Sequence, residues 1–444
     1  MNNVVDSTIP QAAAQPVDYA DMRRRIKAIF IGSVGNLVEW YDFYAYAAFS
    51  LYFAAAFFPQ GDAVSQQLSA ATLFAAGFLV RPIGGWLFGY LADRYGRRPS
   101  LTLSVLMMCF GSLMIAVTPT FASIGVMAPV ILSLARIIQG LSLGGEYGAS
   151  ATYLSEVADP KRRGFYSSFQ YVTLIGGQLS AILVLLILQQ VFLTNDEIKA
   201  WGWRIPFAIG ALLAIVAAVM RSQLHETDAF QAARSKPVEL NSLKTLMEHP
   251  REVVLVIGLT LGGTAAFYTY TTYMQTFLKL SVGLDENTTT LVTGGSLVFA
   301  IALQPIYGYI SDHIGRRPVL TWFGVCGVLF TYALLTGIQG TKSAAGAFCL
   351  ICFAWIIVTG YTSINAIVKA ELFPTRIRAT GVGLPYALTV SIFGGTAPAV
   401  ALWFKNIGNE RGFYLYLTAC ILISLIVYTL MRDTKLKSAM DRNE

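Results

Sequence analysis

Long apolar stretches alternate with short polar segments along almost the whole chain. A stretch of about 20 apolar residues with few charges predicts a helix that spans a membrane. Twelve such stretches occur, which we number spans 1 to 12, at about residues 27–57, 66–91, 99–118, 128–155, 165–192, 204–221, 252–279, 289–310, 318–338, 345–370, 379–403 and 412–431. The pattern therefore predicts an all-α integral membrane protein with twelve transmembrane helices.

The composition of the 444-residue chain supports this prediction. Hydrophobic residues make up 55% and charged residues 13%, and the mean hydropathy is +0.57. Soluble domains carry about 25% charged residues. These values exclude a soluble globular protein, a disordered chain, a collagen and a coiled coil.

The distribution of basic residues predicts the orientation in the membrane. Of the 32 Lys and Arg residues, 23 fall in the seven segments on one side, six in the opposite loops and three inside spans. Basic loops remain in the cytoplasm, so both termini are expected there, in a bacterial inner membrane. The positive charge is then a topology signal that contacts anionic lipid headgroups, and nucleic-acid binding is not expected.

Two different motifs occur twice at nearly the same offset, which indicates an internal repeat. GYLADRYGRR at 89–98 returns as GYISDHIGRR at 308–317, an offset of 219, and Glu156 and Arg163 return as Glu371 and Arg378, an offset of 215. The repeat predicts two pseudo-symmetric six-helix bundles, as in secondary transporters, with a substrate site where they meet. The predicted divisions are a tail 1–21, a bundle 22–221, a cytoplasmic loop 222–251, a bundle 252–431 and a tail 432–444.

The repeated loops are expected to control closure on the cytoplasmic side. A glycine permits close helix approach, an aspartate can cap a helix end or pair with Arg, and the arginines anchor at lipid headgroups. The predicted gating residues are Gly89, Asp93, Arg94, Gly96, Arg97, Arg98, Glu156, Arg163, Asp312, Arg316, Arg317, Glu371 and Arg378.

Six ionisable residues lie inside spans, and each is a candidate for function. A charge at the bilayer centre costs at least ~3 kcal/mol unless it is paired or lines water. The six are Arg81, Arg136, Lys369, Glu39, Asp42 and Glu146. Arg81 lies about 18 Å from the cytoplasmic end of its span, near the midplane. Its guanidinium could bind a substrate carboxylate through two hydrogen bonds, or could form a structural pair with Glu39 or Asp42.

The roles of the other intramembrane candidates stay open at this point. Lys369 either extends to the cytoplasmic edge or lies on the cavity face and holds a second carboxylate. Glu146 is either a second proton site or a structural hydrogen-bonding residue. Uncharged side chains that could complete the pocket are Tyr44, Gln170, Gln178, Tyr268, Tyr273, Gln304, Tyr361 and Asn365.

The loop motif resembles the signature of the major facilitator superfamily, and the resemblance covers residues 22–435. The segments Gly35–Phe43, Arg81–Gly85 and Gln139–Tyr147 resemble the metabolite:proton symporter family within it. Segments 168–178, 202–207 and 361–371 are most similar to members that carry α-ketoglutarate (2-oxoglutarate). This resemblance implies secondary active, proton-coupled uptake of a small dicarboxylate by alternating access. Other proton-coupled metabolites (citrate, shikimate, proline or betaine) and drug:proton antiport are the alternatives.

The resemblance also implies how a proton would be coupled to transport. In the sugar:proton symporters of the superfamily an Asp of the first helix faces an Arg of the fourth, and Asp42 and Arg136 occupy these positions. Protonation of the carboxylate would break the pair and change the favoured conformation. Glu39 lies three residues from Asp42, on nearly the same helix face, so that either could carry the proton.

Several other classes of protein are not supported by the sequence. The five cysteines all lie in apolar spans and the three histidines in cytoplasmic loops, so that neither a disulfide framework nor a metal site is predicted. A nucleophile–base set, a phosphate-binding loop and an added signalling domain are not found, which argues against an enzyme, a primary pump and a sensor. We expect a functional monomer whose coupling ion is the proton and which needs no cofactor.

Overall fold

The structure is a computed structural model that describes residues 19–95, 97–144, 160–222, 246–373, 378–435 and 438. All regular secondary structure within these ranges is helical. Nine helices there are long and apolar enough to cross a membrane, and residues 102–117 and 127–143 form shorter apolar helices. Together with the long first helix they account for the twelve predicted spans.

The observed helices coincide with the predicted apolar stretches to within a few residues where both are described. In the N-terminal bundle the spans are Tyr19–Phe57, Ala63–Leu79 with Arg81–Tyr95, Arg97–Val117, Met127–Leu143, Arg163–Ile187 continued by Leu188–Phe192, and Ile205–Ser222. In the C-terminal bundle they are Pro250–Tyr268 continued to Val282, Glu286–Ile314, Arg316–Gly340, Ala344–Thr362 with Asn365–Ala370, Arg378–Thr389 continued by Val390–Gly394 and Ala397–Asn406, and Glu410–Leu430. Short helices at Phe121–Ile124, Pro160–Arg162, Asn195–Ala200 and Gly202–Arg204 belong to the connections.

Polar side chains cap helices at the ends opposite the repeated loop motif. Asp62 accepts a hydrogen bond from the backbone N–H of Ser65, and Asp285 accepts one from that of Thr288, each at 2.9 Å. These bonds satisfy N–H groups that have no partner within the first helical turn. The apolar spans 2 and 8 therefore begin at these caps.

The two bundles pack against each other mainly through two pairs of spans. Span 5 packs along span 8, and span 2 packs along span 11. Within the bundles, span 1 packs on span 5, span 3 on span 6, and span 12 on spans 7 and 9. One continuous core of buried residues, rich in aromatic side chains, includes both bundles.

Five of the described spans deviate from regular α-helix, counting the π-helical end of span 5 at Leu188–Phe192. Span 2 is interrupted at Val80, and span 10 at Ser363 and Ile364. Span 7 contains π-helical turns at Thr269–Tyr273 and Leu278–Val282, and span 11 contains one at Val390–Gly394. Such irregular turns release backbone groups and re-aim side chains, and they are frequent at functional sites.

Candidate substrate and proton site

Arg81 is the first residue of the second half of span 2, directly after the interruption at Val80. Its guanidinium carbon lies 3.7 Å from the ring centroid of Phe78, 4.4 Å from that of Phe43 and 5.1 Å from that of Trp40. The residue is 5% exposed. Aromatic faces attract a cation through the ring quadrupole, so these rings position the guanidinium without neutralising its charge.

The hydrogen-bonding capacity of Arg81 is largely unused within the described part of the chain. Its Nε and Nη2 atoms are buried there without a hydrogen-bond partner. The hydroxyl groups of Tyr44 and Tyr268 are also buried without a partner there, and their rings lie 6.5 Å apart. The two donor atoms of Arg81 that have no partner there are suited to bind a carboxylate.

A narrow cavity of about 20 Å³ adjoins Arg81 between the two bundles, and we call it the central cavity. The N-terminal bundle lines it with Asn36, Glu39, Trp40 and Arg81, and the C-terminal bundle contributes Tyr386 among other residues. A volume of this size holds about one water molecule. The bundles are therefore closed around Arg81 in this arrangement.

Lys369 lies in the interior and does not extend to the membrane surface. The residue is completely buried, and its Nζ lies 3.5 Å from the ring centroid of Tyr386. A lysine that extends to the surface would expose its ammonium group. The burial of Lys369 thus argues against a side chain that extends to the cytoplasmic edge, and its position on the cavity face stays a prediction.

A chain of polar groups connects span 5 with spans 10 and 11. Asn365 Nδ2 donates a hydrogen bond to the hydroxyl of Tyr171 at 2.8 Å. The Tyr171 hydroxyl in turn lies 3.5 Å from that of Tyr386. These contacts join the two bundles beside the central cavity.

Asp42 and Arg136 do not contact each other directly, in contrast to the pair that the resemblance implies. Asp42 Oδ2 accepts hydrogen bonds from Ser112 Oγ and, at 3.3 Å, from Gln139 Nε2. Arg136 Nη1 donates to Gln139 Oε1 at 2.7 Å. The amide of Gln139 therefore connects the carboxylate to the guanidinium.

The guanidinium of Arg136 is positioned by aromatic rings of span 1. Its central carbon lies 4.3 Å from the ring centroids of both Phe43 and Tyr46. The ring of Phe43 also contacts Arg81, at 4.4 Å. One aromatic side chain thus contacts both buried arginines.

Glu39 and Asp42 have separate surroundings, although they lie three residues apart on span 1. Glu39 lines the central cavity together with Arg81. Asp42 is completely buried and faces Ser112 of span 3 and Gln139 of span 4. The two carboxylates therefore contact different groups.

Asp312 joins the two bundles on the side that carries the repeated loop motif, which we call the loop-motif side. Its Oδ1 accepts a hydrogen bond from the Gly164 N–H at 2.8 Å, and its Oδ2 accepts one from the Phe165 N–H at 2.9 Å. Both N–H groups belong to the first turn of span 5, where the helix dipole favours a negative charge. The predicted contact between Asp312 and a helix end is thus present.

A buried ion-pair network supports Asp312. Arg316 Nη1 donates to Asp312 Oδ1 at 2.8 Å, and Arg316 Nη2 lies 3.4 Å from Glu371 Oε1. Glu371 also accepts a hydrogen bond from Thr434. Burial raises the pKa of the Glu371 carboxyl, and the nearby guanidinium of Arg316 opposes that rise.

Polar contacts also join the bundles on the opposite side. The Oε1 atom of Glu286, in the C-terminal bundle, lies 3.4 Å from Lys199 Nζ of the N-terminal bundle. The same atom lies 3.0 Å from Lys279 Nζ of its own bundle. Asn195 Nδ2 donates to Asn287 Oδ1 at 3.2 Å. Contacts between the bundles are therefore present on both sides of the membrane-spanning region.

A model of the sugar (and other) transporter family matches residues 28–239 and 225–444. The chain belongs to this family. It is 50% identical to the α-ketoglutarate permease of Escherichia coli, across 96% of this chain and 97% of that protein. It is 33% identical to the inner membrane metabolite transport protein YhjE of E. coli, across 96% of this chain and 100% of that protein. Identity to a putative proline/betaine transporter of Staphylococcus haemolyticus is 30%, across 94% and 89%.

Solved structures confirm the fold of this family member. The crystal structure of the D-xylose–proton symporter matches with a TM-score of 0.72 and 19% identity, across 93% of this chain and 99% of that one. A structure of the major facilitator proton:xylose symporter XylE bound to a sugar derivative matches with a TM-score of 0.71 and 18% identity, across 94% and 98%. The chain is thus a membrane transporter with the twelve-helix major facilitator fold, as predicted.

Not all predicted site residues of this transporter lie near Arg81. Tyr273 packs against Phe277 and Phe413, with ring centroids 5.7 and 5.8 Å away, and Tyr361 packs 5.7 Å from Phe323. These contacts lie inside the C-terminal bundle, and neither tyrosine is among the residues that line the central cavity. Gln170 and Gln178 of span 5 are buried, and Gln304 accepts a hydrogen bond from Thr362 at 2.9 Å.

Part of the predicted set falls outside what the structure describes. Gly96, Glu146 and Glu156 lie outside the described residues, as do the side chains of Asp93, Arg94, Arg97 and Arg98. Conversely, four residues that contact the site residues or line the cavity were not predicted from the sequence: Tyr386, Tyr171, Ser112 and Gln139. The only signal for Gln139 is its place in the segment that resembles the symporters.

Proposed function

We propose that the protein is a proton-coupled symporter for a small dicarboxylate, with 2-oxoglutarate as the first candidate. The observation that carries the proposal is Arg81, a buried guanidinium between the two bundles whose Nε and Nη2 have no partner among the described residues. A carboxylate would bind these donors in a bidentate manner. The 50% identity to a protein named α-ketoglutarate permease supports the choice of substrate.

Lys369 is the residue that we propose for the second carboxylate. Lys369 of the C-terminal bundle is buried beside Tyr386, and Tyr386 lines the central cavity together with Arg81. A dicarboxylate between Arg81 and Lys369 would therefore contact both bundles at once. A zwitterionic osmolyte would instead need an aromatic site for its cation, and the rings of Trp40, Phe43 and Phe78 already contact Arg81.

Uptake of such an anion needs a coupled cation. A dianion that enters a negative interior is opposed by ~4.6 kcal/mol per 100 mV, twice the value for a single charge. Asp42 is our first candidate for the proton carrier, because it is completely buried and Gln139 connects it to Arg136. Glu39, beside Arg81, and Glu146 are the other candidates.

Transport would proceed by rocking of residues 22–221 against residues 252–435. The contacts of Asp312 on one side and of Glu286 on the other would break in alternation. We place the loop-motif side and both termini in the cytoplasm of a bacterial cell, because most basic residues fall there. A monomer in contact with anionic lipid is the proposed functional unit.

Uptake of labelled 2-oxoglutarate into proteoliposomes under an imposed inward proton gradient tests this proposal. We expect accumulation that depends on the gradient and that excess proline betaine or citrate does not block. Absence of uptake, together with transport of either competitor, would refute the dicarboxylate proposal. Equal uptake with and without the gradient would refute proton coupling.

The role of Arg81 can be tested in the same vesicles. Arg81→Lys keeps the charge but loses the planar pair of donors, so KM for 2-oxoglutarate should rise about tenfold or more. Arg204→Lys is the matched control, since Arg204 also contacts an aromatic ring, that of Trp203 at 4.1 Å, but donates to the Thr118 carbonyl away from the cavity. An unchanged KM in Arg81→Lys would exclude bidentate recognition at this residue.

A further inference from the structure

The ring of Phe43 contacts two buried cations at once. Its centroid lies 4.4 Å from the guanidinium carbon of Arg81 and 4.3 Å from that of Arg136. Phe43 and Arg136 are completely buried, and Arg81 is 5% exposed. Cation–π attraction is strongest where water is excluded from both partners, so both contacts are in the favourable environment.

The two cations belong to the two functional parts of the site. Arg81 lines the central cavity, where a substrate carboxylate is proposed to bind. Arg136 donates to Gln139, whose amide donates in turn to Asp42, the first candidate for the proton carrier. Phe43 therefore lies between the group proposed to bind the substrate and the groups proposed to bind the proton.

Other aromatic rings fix the position of the Phe43 ring. Its centroid lies 4.9 Å from that of Phe78 and 5.1 Å from that of Phe74. The rings of Trp40 and Tyr44 also pack against it, with centroids 6.4 and 6.2 Å away. A side chain that is packed so closely cannot move toward one cation without changing its contact with the other.

Two cations that share one ring do not interact with it independently. Because each guanidinium carbon lies within 4.4 Å of the ring centroid, the two are at most about 9 Å apart, and their charges repel each other in this buried site. A carboxylate bound at Arg81 would cancel most of that repulsion and leave the ring quadrupole to attract mainly Arg136. Arg136 would then be held more strongly at the ring and less strongly at Gln139.

A weaker bond between Arg136 and Gln139 would also affect Asp42. An amide whose oxygen accepts a hydrogen bond from a cation is a stronger donor through its nitrogen, because bonds in a chain polarise one another. Loss of that polarisation would stabilise the Asp42 carboxylate less and so favour proton binding there. In the described part of the chain, the other side chains that face Asp42 carry no positive charge: Tyr41 of span 1 and Cys109 and Ser112 of span 3. Gly210 of span 6 also faces Asp42 and has no side chain.

We propose that Phe43 is a positioning residue that links substrate binding at Arg81 to proton binding at Asp42. The link passes through Arg136 and Gln139, and this inference rests on the proposed function. A carboxylate at Arg81 would strengthen the contact of Arg136 with the ring and thereby favour proton binding. By thermodynamic reciprocity, a bound proton would favour substrate binding by the same factor.

The test measures Kd of the purified full-length protein for 2-oxoglutarate across neutral and mildly alkaline pH, where the substrate stays a dianion. In the wild type we expect Kd to rise about tenfold or more over this range, as the linked proton is lost. In Phe43→Leu the rise should be about threefold or less. Phe43→Tyr keeps an aromatic face and should retain most of the rise. Pentafluorophenylalanine at position 43 keeps the shape of the ring but reverses its quadrupole, and it should act as leucine does.

Two neighbouring phenylalanines are matched controls, because each contacts one of the two arginines in the described part of the chain. The guanidinium carbon of Arg81 lies 3.7 Å from the ring centroid of Phe78, and that of Arg136 lies 5.4 Å from that of Phe74. Phe78→Leu should raise Kd by a similar factor at every pH, and Phe74→Leu should change it little. Both variants should keep the pH dependence of Kd.

Asp42→Asn identifies the proton whose binding is linked to the substrate. This change should remove the pH dependence of Kd, and the double variant with Phe43→Leu should show no further loss, because both changes interrupt one interaction. If Asp42→Asn keeps the pH dependence, the linked proton binds elsewhere and the inference is overturned.

The two levels of the proposal fail in different ways. If the wild-type protein shows no uptake of 2-oxoglutarate driven by the proton gradient, the proposed function and this inference fall together. If uptake is driven by the gradient but Phe43→Leu or the fluorinated ring keeps the pH dependence of Kd, only the role of Phe43 is overturned. The same holds if the wild-type Kd does not depend on pH, or if Phe78→Leu or Phe74→Leu loses the dependence to the same extent.

Discussion

The carboxylate of Asp312 accepts a hydrogen bond from the backbone N–H of Gly164 at 2.8 Å and so connects span 8 of one bundle to the first turn of span 5 in the other. The two residues are 148 positions apart in the chain. An ideal Cβ on Gly164 would lie 2.7 Å from Asp312 Oδ1 and 2.4 Å from Ser311 Oγ. A side chain at position 164 would therefore displace the ends of the Ser311, Arg316 and Asp312 side chains.

Asp312→Asn should favour opening on the loop-motif side. The amide has nearly the shape of the carboxylate but loses the charge that Arg316 and the helix dipole stabilise, at a cost of about 1–3 kcal/mol to the closed arrangement. We expect slower turnover with little change in KM. A cysteine introduced at the buried position Ser168 should react faster with a maleimide reagent from that side.

Asp433→Asn is the control for this variant. Asp433 accepts hydrogen bonds from the N–H groups of Arg316 and Arg317 and thus caps span 9 within its own bundle. The Asp433→Asn change should leave the rate of maleimide labelling at position 168 unchanged. An unaltered turnover in Asp312→Asn, or poorer affinity alone, would show that this contact does not control closure.

Gly395→Ala should prevent the two bundles from closing around Arg81. An ideal Cβ at Gly395 of span 11 would lie 2.1 Å from Cγ of Phe78, whose ring contacts Arg81. Overpacking of this kind costs about 1–3 kcal/mol, so we expect uptake to fall about tenfold or more while the protein still folds. Gly340→Ala is the control, because a Cβ there has no atom within 4 Å. Equal uptake by both variants would contradict the prediction.

Gln139→Met should separate proton coupling from substrate movement. The change removes the donor to Asp42 and the acceptor of Arg136 and leaves the volume nearly unchanged. We expect a several-fold loss of proton-driven accumulation and a smaller loss of exchange of internal for external substrate, because only accumulation needs the proton. Gln304→Met, which disturbs a hydrogen bond to Thr362 in the other bundle, is the comparison. Equal losses of both activities in Gln139→Met would argue against a coupling role.

Glu286→Gln should have a small effect that depends on salt. Its ion pair with Lys199 joins the bundles, but the Lys199 side chain is 43% exposed, and exposed pairs contribute about 0–1 kcal/mol. We expect an increase in KM of a few-fold at most, and a smaller one at high ionic strength. Lys279→Gln removes only the pair within one bundle and serves as the control. An effect that is independent of salt would indicate a role other than this ion pair.

The sequence by itself determined the span pattern and the two-bundle division, and it marked Arg81 as a candidate site residue. The length of an apolar stretch predicts a span without knowledge of the rest of the fold, because a helix in lipid must satisfy its backbone N–H and C=O groups by its own hydrogen bonds. Arg81 was evident because a charge in an apolar span is costly wherever it points. The kind of contact that Asp312 makes could be predicted, because a carboxylate can accept hydrogen bonds from the free N–H groups at the start of a helix.

Only the tertiary structure decided which side chains meet. Gln139 lies between Asp42 and Arg136, and Tyr386 lies beside Lys369, although none of these contacts is marked by composition or spacing. The interruption at Val80 and the π-helical turns of spans 7 and 11 rotate the following residues away from the regular helical positions. The direction in which a side chain points thus depends on such turns and on the packing of helices that are distant in sequence. The sequence of an apolar span with a few polar residues does not determine how the helix is rotated about its own axis.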